Sequence, residues 1–67
     1  TQNLRLMLGE GTVAEGFGAL AAEYPDLSMG SSPFTQDGAY GTNLVIRGAD
    51  GAQVAAAMAR LTAMFAP

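Results

Sequence analysis

The residues best suited to chemistry lie between positions 27 and 48, where hydroxyl, aromatic and cationic side chains occur close together. Ser31 and Ser32 place two hydroxyls directly before Pro33 and Phe34, and Arg47 ends the most apolar stretch of this segment. A few polar groups beside an aromatic ring are typical of a binding surface. We therefore take Ser31, Ser32, Pro33, Phe34 and Arg47 as the candidate interaction surface.

The candidate residues lack the partners that catalysis requires. A nucleophilic serine needs a nearby base, and the chain has no histidine, no cysteine and no lysine. Asp37 and Asp50 could act as metal ligands, but aspartates in glycine-rich turns are more often turn formers and helix caps. We therefore expect no catalytic, metal-binding or cofactor-binding residue and no cofactor. We expect Arg47 to form an ion pair with an acidic residue rather than to bind an anionic ligand.

Three glycine-containing segments are candidates for binding phosphate or a nucleic-acid backbone. Residues 9–12 open a helix, where backbone N–H groups can cradle a phosphate, but Glu10 and Glu15 already supply negative charge there. Residues 38–41 and 48–51 match the G-x-x-G spacing of KH domains. Neither match carries a cation, so we interpret all three segments as turns and caps.

The charge balance also limits the partners. Six carboxylate side chains against three arginines give a formal net charge of −3, whereas nucleic-acid binding needs several cations on one face. No apolar run approaches the roughly 18 residues of a membrane span, and no signal-peptide pattern opens the chain. We expect a cytoplasmic protein with no nucleic-acid or membrane partner.

The elements that position the candidate residues follow from hydrophobic periodicity. Residues 3–8 alternate as a strand, residues 26–30 form a short strand, and residues 40–47 form a strand that is apolar on both faces, which indicates a central position. Residues 31–39 connect the last two strands. The serine–proline segment therefore turns a corner and presents Phe34 to a partner.

Two amphipathic helices complete the pattern. A capping box at Thr12 and Glu15 predicts the start of the first helix, which Pro25 ends. Asp50 predicts the cap of the second. In each helix the apolar residues recur at i, i+4, i+7 and i+11. The members are Val13, Phe17, Leu20 and Tyr24 in the first helix, and Val54, Met58, Leu61 and Phe65 in the second.

These elements predict an α+β fold in the order β-α-β-β-α. It is a two-layer sandwich with two helices on one face of a three-stranded sheet, similar to a truncated ferredoxin-like or KH-type arrangement. The last strand should lie between the other two and antiparallel to both. Residues 1–67 form a single small domain, and the start at Thr1 without a methionine suggests a fragment of a longer protein.

Three separate stretches resemble segments of a known family and occur in the same order as in that family: residues 9–15, residues 24–34 and residues 44–50. They are similar to the small C-terminal domain of the molybdopterin-binding, competence/damage-inducible protein A (CinA-like) family. The resemblance covers nearly the whole chain. One departure is Ser32, where the family pattern has an aromatic residue.

The resemblance implies a non-catalytic accessory or interaction domain that packs on the large molybdopterin-binding domain or on a second subunit as a homodimer. It also implies that the parent protein is a metal-dependent nucleotide pyrophosphatase whose active site lies in other domains. The alternative is a small-molecule regulatory module, in which the glycine turns and Arg47 bind an anionic metabolite. A further alternative is KH-like RNA binding.

The net charge and the cation-free G-x-x-G matches generate a first prediction. Single-stranded RNA should show no detectable binding to the 67-residue chain at physiological salt, because too few cations are present to neutralise phosphates. Fluorescence anisotropy of a labelled oligonucleotide measures this. A dissociation constant near 1 μM that rises steeply with added salt would contradict the expectation.

Overall fold

The computed structural model describes residues 1–65 and shows five elements in the order β-α-β-β-α. This order confirms the predicted α+β class. The elements are β1 (Gln2–Leu6), α1 (Glu10–Glu23), β2 (Ser28–Gln36), β3 (Ala39–Arg47) and α2 (Gly51–Met64).

The three strands form one antiparallel sheet in the order β1-β3-β2. Strand β3 pairs with β1 from Thr42 to Ile46 and with β2 along its whole length. The predicted central position of the last strand is therefore confirmed. Its consecutive apolar residues alternate between the two faces of the sheet, with Leu44 and Ile46 fully buried and Val45 half-buried.

The hydrophobic core lies between the sheet and the two helices, which cover one face of the sheet. The periodic apolar residues of each helix supply it, as predicted, except that Tyr24 and Phe65 pack only at its edge. The buried core residues are Val13, Phe17 and Leu20 from α1, Leu44 and Ile46 from β3, and Val54, Ala57, Met58 and Leu61 from α2.

Thr42 is the buried polar side chain of this core. Its hydroxyl donates a hydrogen bond of 2.8 Å to the backbone carbonyl of Leu8. A buried hydroxyl without a partner would cost free energy, so this bond lets a polar residue occupy the core face of β3. The same bond ties the β1–α1 connection to the central strand.

The two helix starts differ from each other. Asp50 caps α2, and its Oδ1 accepts hydrogen bonds from the backbone N–H groups of Ala52 at 3.0 Å and Gln53 at 3.3 Å. The predicted capping box of α1 is wrong: the helix begins at Glu10, and no side chain caps it. Thr12 lies inside the first turn of α1, so its hydroxyl is not at the capping position.

The segment from Ser31 to Ala39 is not a connection, and this prediction is also wrong. Strand β2 continues to Gln36, and a two-residue turn, Asp37–Gly38, leads directly into β3. Both turn residues have positive φ, 52° and 81°, as a type I′ hairpin turn requires. The corner of the chain is therefore Asp37–Gly38, and the serine–proline segment is an extended edge strand.

The packing generates a prediction about two phenylalanines. Phe17 is 9% exposed and belongs to the core, whereas Phe34 lies outside the core cluster on β2. Truncating a core phenylalanine costs about 3–5 kcal/mol, which is comparable to the whole stability of about 3–5 kcal/mol that a core this small supplies. Phe17→Ala should therefore leave the chain largely unfolded.

Phe34→Ala is the matched variant, and it should remain folded with a smaller loss of stability. Circular dichroism melts of both variants beside the unaltered chain measure the difference. A folded Phe17→Ala variant together with an unfolded Phe34→Ala variant would show that the core assignment is wrong.

Candidate functional site

The face of the sheet away from the helices, here called the open face, carries the candidate functional groups. Alternation along the paired strands decides which side chains point to it. These are Asn3 and Arg5 from β1, Ser28, Gly30, Ser32, Phe34 and Gln36 from β2, and Ala39, Gly41, Asn43, Val45 and Arg47 from β3. The open face thus holds two of the three arginines and none of the six side-chain carboxylates.

At one end of the open face, stacked side chains cover Gly41. Phe34 lies opposite Gly41 in the strand pairing, and the guanidinium carbon of Arg5 lies 4.1 Å from the centre of its ring. Arg5 also donates a 3.4 Å hydrogen bond to Gln36. An aromatic ring over a strand glycine, with a cation above the ring, is a stabilising arrangement. Phe34 and Arg5 therefore have a structural role.

The other end of the open face is a shallow depression of about 320 Å³. In the strand pairing Ser28 lies opposite Arg47, and Gly30 lies opposite Val45. The lining residues are Ser28, Met29, Gly30, Ser31, Ser32, Val45 and Arg47. Arg47 is exposed, and it makes no ion pair with any residue between 1 and 65. The predicted acidic partner of Arg47 is thus not found within that range.

Strand alternation divides the five predicted surface residues between the two faces of the sheet. Ser32, Phe34 and Arg47 point to the open face, whereas Ser31 and Pro33 point to the helix side of the same strand. All but Phe34 are exposed. Ser31 and Ser32 contribute to the depression together with Arg47, while Phe34 belongs to the stack at the other end.

The sequence analysis did not select Ser28, Gly30 and Arg5 as site residues, because it treated residues 31–39 as a connection and so had no pairing register between the last two strands. A signal was present in the Asp37–Gly38 dipeptide, which is a strong indicator of a two-residue hairpin. Such a turn pairs Gln36 with Ala39, and continuing that register towards the start of β2 places Ser28 opposite Arg47.

Four other large apolar side chains are exposed, and this set is here called the apolar end: Met7, Leu8, Tyr40 and Met64. Met7 and Leu8 follow β1, whose last pair is Leu6 with Thr42, and Tyr40 precedes Thr42 in β3. Met64 ends α2, and its sulfur lies against Gly16 in the first half of α1. The apolar end therefore lies at the opposite end of the sheet from Arg47.

Clustered metal ligands and membrane-spanning helices are absent from residues 1–65. No group of three or more acidic side chains there could hold a metal ion. Asp37 is a turn residue and Asp50 is a helix cap, which matches the interpretation of both aspartates as turn and cap residues. Neither helix in this range is long and apolar enough to cross a membrane.

Over residues 1–67 the chain matches the protein family described as FAD synthase, middle domain. The chain belongs to this family. No curated protein and no solved structure is similar enough to the chain to count as a match. Membership in the FAD synthase middle-domain family shows that the resemblance to the CinA-like molybdopterin-binding family is wrong, and so is the accessory role in a competence/damage-inducible protein that it implied.

The reason for the error lies in the stretches that carried the resemblance. Residues 9–15 span the β1–α1 connection and the first helical turn, and residues 44–50 span the end of β3 and the cap of α2. Turn and cap positions select glycine, serine and aspartate for local geometry in many proteins. Similarity in these two stretches therefore does not by itself distinguish one family from another.

The open face generates a prediction about its two strand glycines. A Cβ on Gly41 would lie 2.8 Å from the backbone carbonyl oxygen of Leu6 and would meet the Phe34 ring, whereas a Cβ on Gly30 would meet nothing within 4 Å. Overpacking of this kind costs about 1–3 kcal/mol. Gly41→Ala should therefore lower the free energy of unfolding by that amount.

Gly30→Ala is the matched control in the same sheet, and it should leave stability unchanged or raise it by up to about 1 kcal/mol. Urea denaturation followed by circular dichroism compares the two variants. Equal stability of both would show that the stack over Gly41 is looser than described.

Proposed function

We propose that this chain is a non-catalytic domain of a FAD synthase-type protein and packs against a neighbouring domain of the same polypeptide through its apolar end. The family description supports this directly, because a middle domain lies between other parts of its protein. The neighbouring domain takes the place of the molybdopterin-binding domain, which was expected only from the incorrect resemblance.

The observation that carries the proposal is the exposure of Met7, Leu8 and Tyr40 towards the same end of the sheet. Tyr40 is 75% exposed and Met7 is 52% exposed, although the same chain buries nine other apolar residues in its core. Contiguous exposed apolar surface often marks a protein–protein contact, and contacts between domains of one chain resemble such interfaces. The apolar end is thus the surface best suited to a neighbouring domain.

The non-catalytic role is supported by the surroundings of the serines. Ser31 and Ser32 are exposed strand residues, and the chain contains no histidine or lysine that could activate them. A pyrophosphatase activity of the parent protein has no support from a family described as a synthase. That activity, the cytoplasmic location, the homodimer and the Ser31–Phe34 and Arg47 contact surface remain predictions.

Hydrogen exchange on a FAD synthase-type polypeptide that contains this domain tests the docking. Backbone amides of residues 7–8 and 40 should exchange more slowly in the long polypeptide than in the 67-residue chain, because the neighbouring domain covers them. Tyr40→Ser should remove much of this protection, since a serine cannot fill the apolar contact.

Gln2→Ser provides a control, because Gln2 is exposed at the opposite end of the same sheet. It should leave the protection at residues 7–8 intact. If these amides exchange equally fast in the long polypeptide and in the 67-residue chain, the apolar end is not the docking surface.

A further inference from the structure

We infer that the depression at the Arg47 end of the open face binds the phosphate group of a small phosphate ester. The depression lies at the opposite end of the sheet from the apolar end, so a docked neighbouring domain would leave it free. The inference therefore does not depend on the proposed docking.

The shape of the depression follows from the pairing of β2 with β3. Ser28 and Arg47 face each other across the two strands, and Gly30 and Val45 form the next pair on the same face. Because Gly30 has no side chain and nothing lies within 4 Å of its Cβ position, the surface is recessed there. A volume of about 320 Å³ falls at the lower end of the range for small-molecule sites.

Arg47 supplies the positive charge at this depression, and its contacts differ from those of the other two arginines. Arg5 is held by Phe34 and Gln36, and Arg60 is paired with Glu23 and lies over the Tyr24 ring. Arg47 makes no such contact within residues 1–65. The guanidinium at the depression is therefore available to a ligand.

The carboxylates nearest in sequence do not neutralise Arg47. Asp50 lies three residues beyond it, but its Oδ1 is engaged by the backbone N–H groups that it caps. Asp26 lies in the turn before β2 and makes no salt bridge with Arg47. Screening at physiological salt limits the more distant carboxylates, since the Debye length is about 8 Å.

The donors at the depression suit a phosphate ester. A guanidinium offers parallel N–H groups that bind two phosphate oxygens at once. The hydroxyl of Ser28, directly opposite Arg47, can donate to the same phosphate, whereas Ser32 lies about 13 Å further along β2 and can contact only the organic part of the ester. Val45 and the bare backbone at Gly30 form an uncharged floor, against which the organic part of the ester can lie.

Nuclear magnetic resonance of the ¹⁵N-labelled chain tests the site with FMN and riboflavin, which differ only in the phosphate. FMN should shift the amide signals of residues 28–32 and 45–47, with a dissociation constant of about 1 mM or lower. Riboflavin should leave these signals in place. Inorganic phosphate should shift the same signals more weakly, because it makes no contact with the floor.

Two variants and one control test which side chains FMN binding depends on. Arg47→Ala should weaken FMN binding about tenfold or more, because it removes a charge-assisted contact. Gly30→Val should also weaken it, because the new side chain fills the depression. Arg5→Ala removes an arginine from the same face but outside the depression, so it should leave the FMN affinity unchanged.

Three outcomes would overturn the inference. The first is an absence of FMN-induced shifts at concentrations of about 10 mM, far above the expected dissociation constant. The second is equal binding of riboflavin, which would show that the phosphate is not recognised. The third is an Arg47→Ala variant that binds FMN as tightly as the unaltered chain. The amide spectrum of each variant shows whether it is folded.

Discussion

Pairing of β3 on both of its sides is the constraint on which the rest of this structure depends. Because side chains alternate along a strand, the central strand sends Leu44 and Ile46 into the core and Val45 and Arg47 to the open face. Its buried residues give both helices a common surface to cover, and a shift of one residue would exchange the two sets. The core and the candidate ligand site are therefore set by one register.

The helices cover only one face of the sheet, so the open face remains exposed. The two ends of the open face differ in their side-chain contacts. At one end Phe34 covers Gly41 beneath Arg5, so the aromatic ring and one cation serve the sheet itself. At the other end Arg47 remains available above a recess made by Gly30. Two arginines on one face thus have different surroundings, because only Arg5 lies over an aromatic ring.

Membership in the FAD synthase middle-domain family fits a domain whose distinctive features are surfaces rather than reactive groups. The apolar end and the depression lie at opposite ends of the sheet, so contact with a neighbouring domain and contact with a phosphate ester are compatible. The segment that first looked like a binding tip contributes to both the depression and the stack, because Ser32 and Phe34 lie on the same face of the edge strand β2.

The sequence by itself determined the element order, the central strand and the apolar faces of both helices, because periodicity and the Asp50 cap are local properties of the chain. It did not determine that residues 31–36 pair with β3, since serine and proline have weak strand preference and this edge strand forms only through its pairing with β3. It also could not show that Arg5 stacks on Phe34 while Arg47 is left without a described partner. Only the tertiary structure decided this, because 29 positions separate Arg5 from Phe34 in the printed sequence and the sheet alone brings them together.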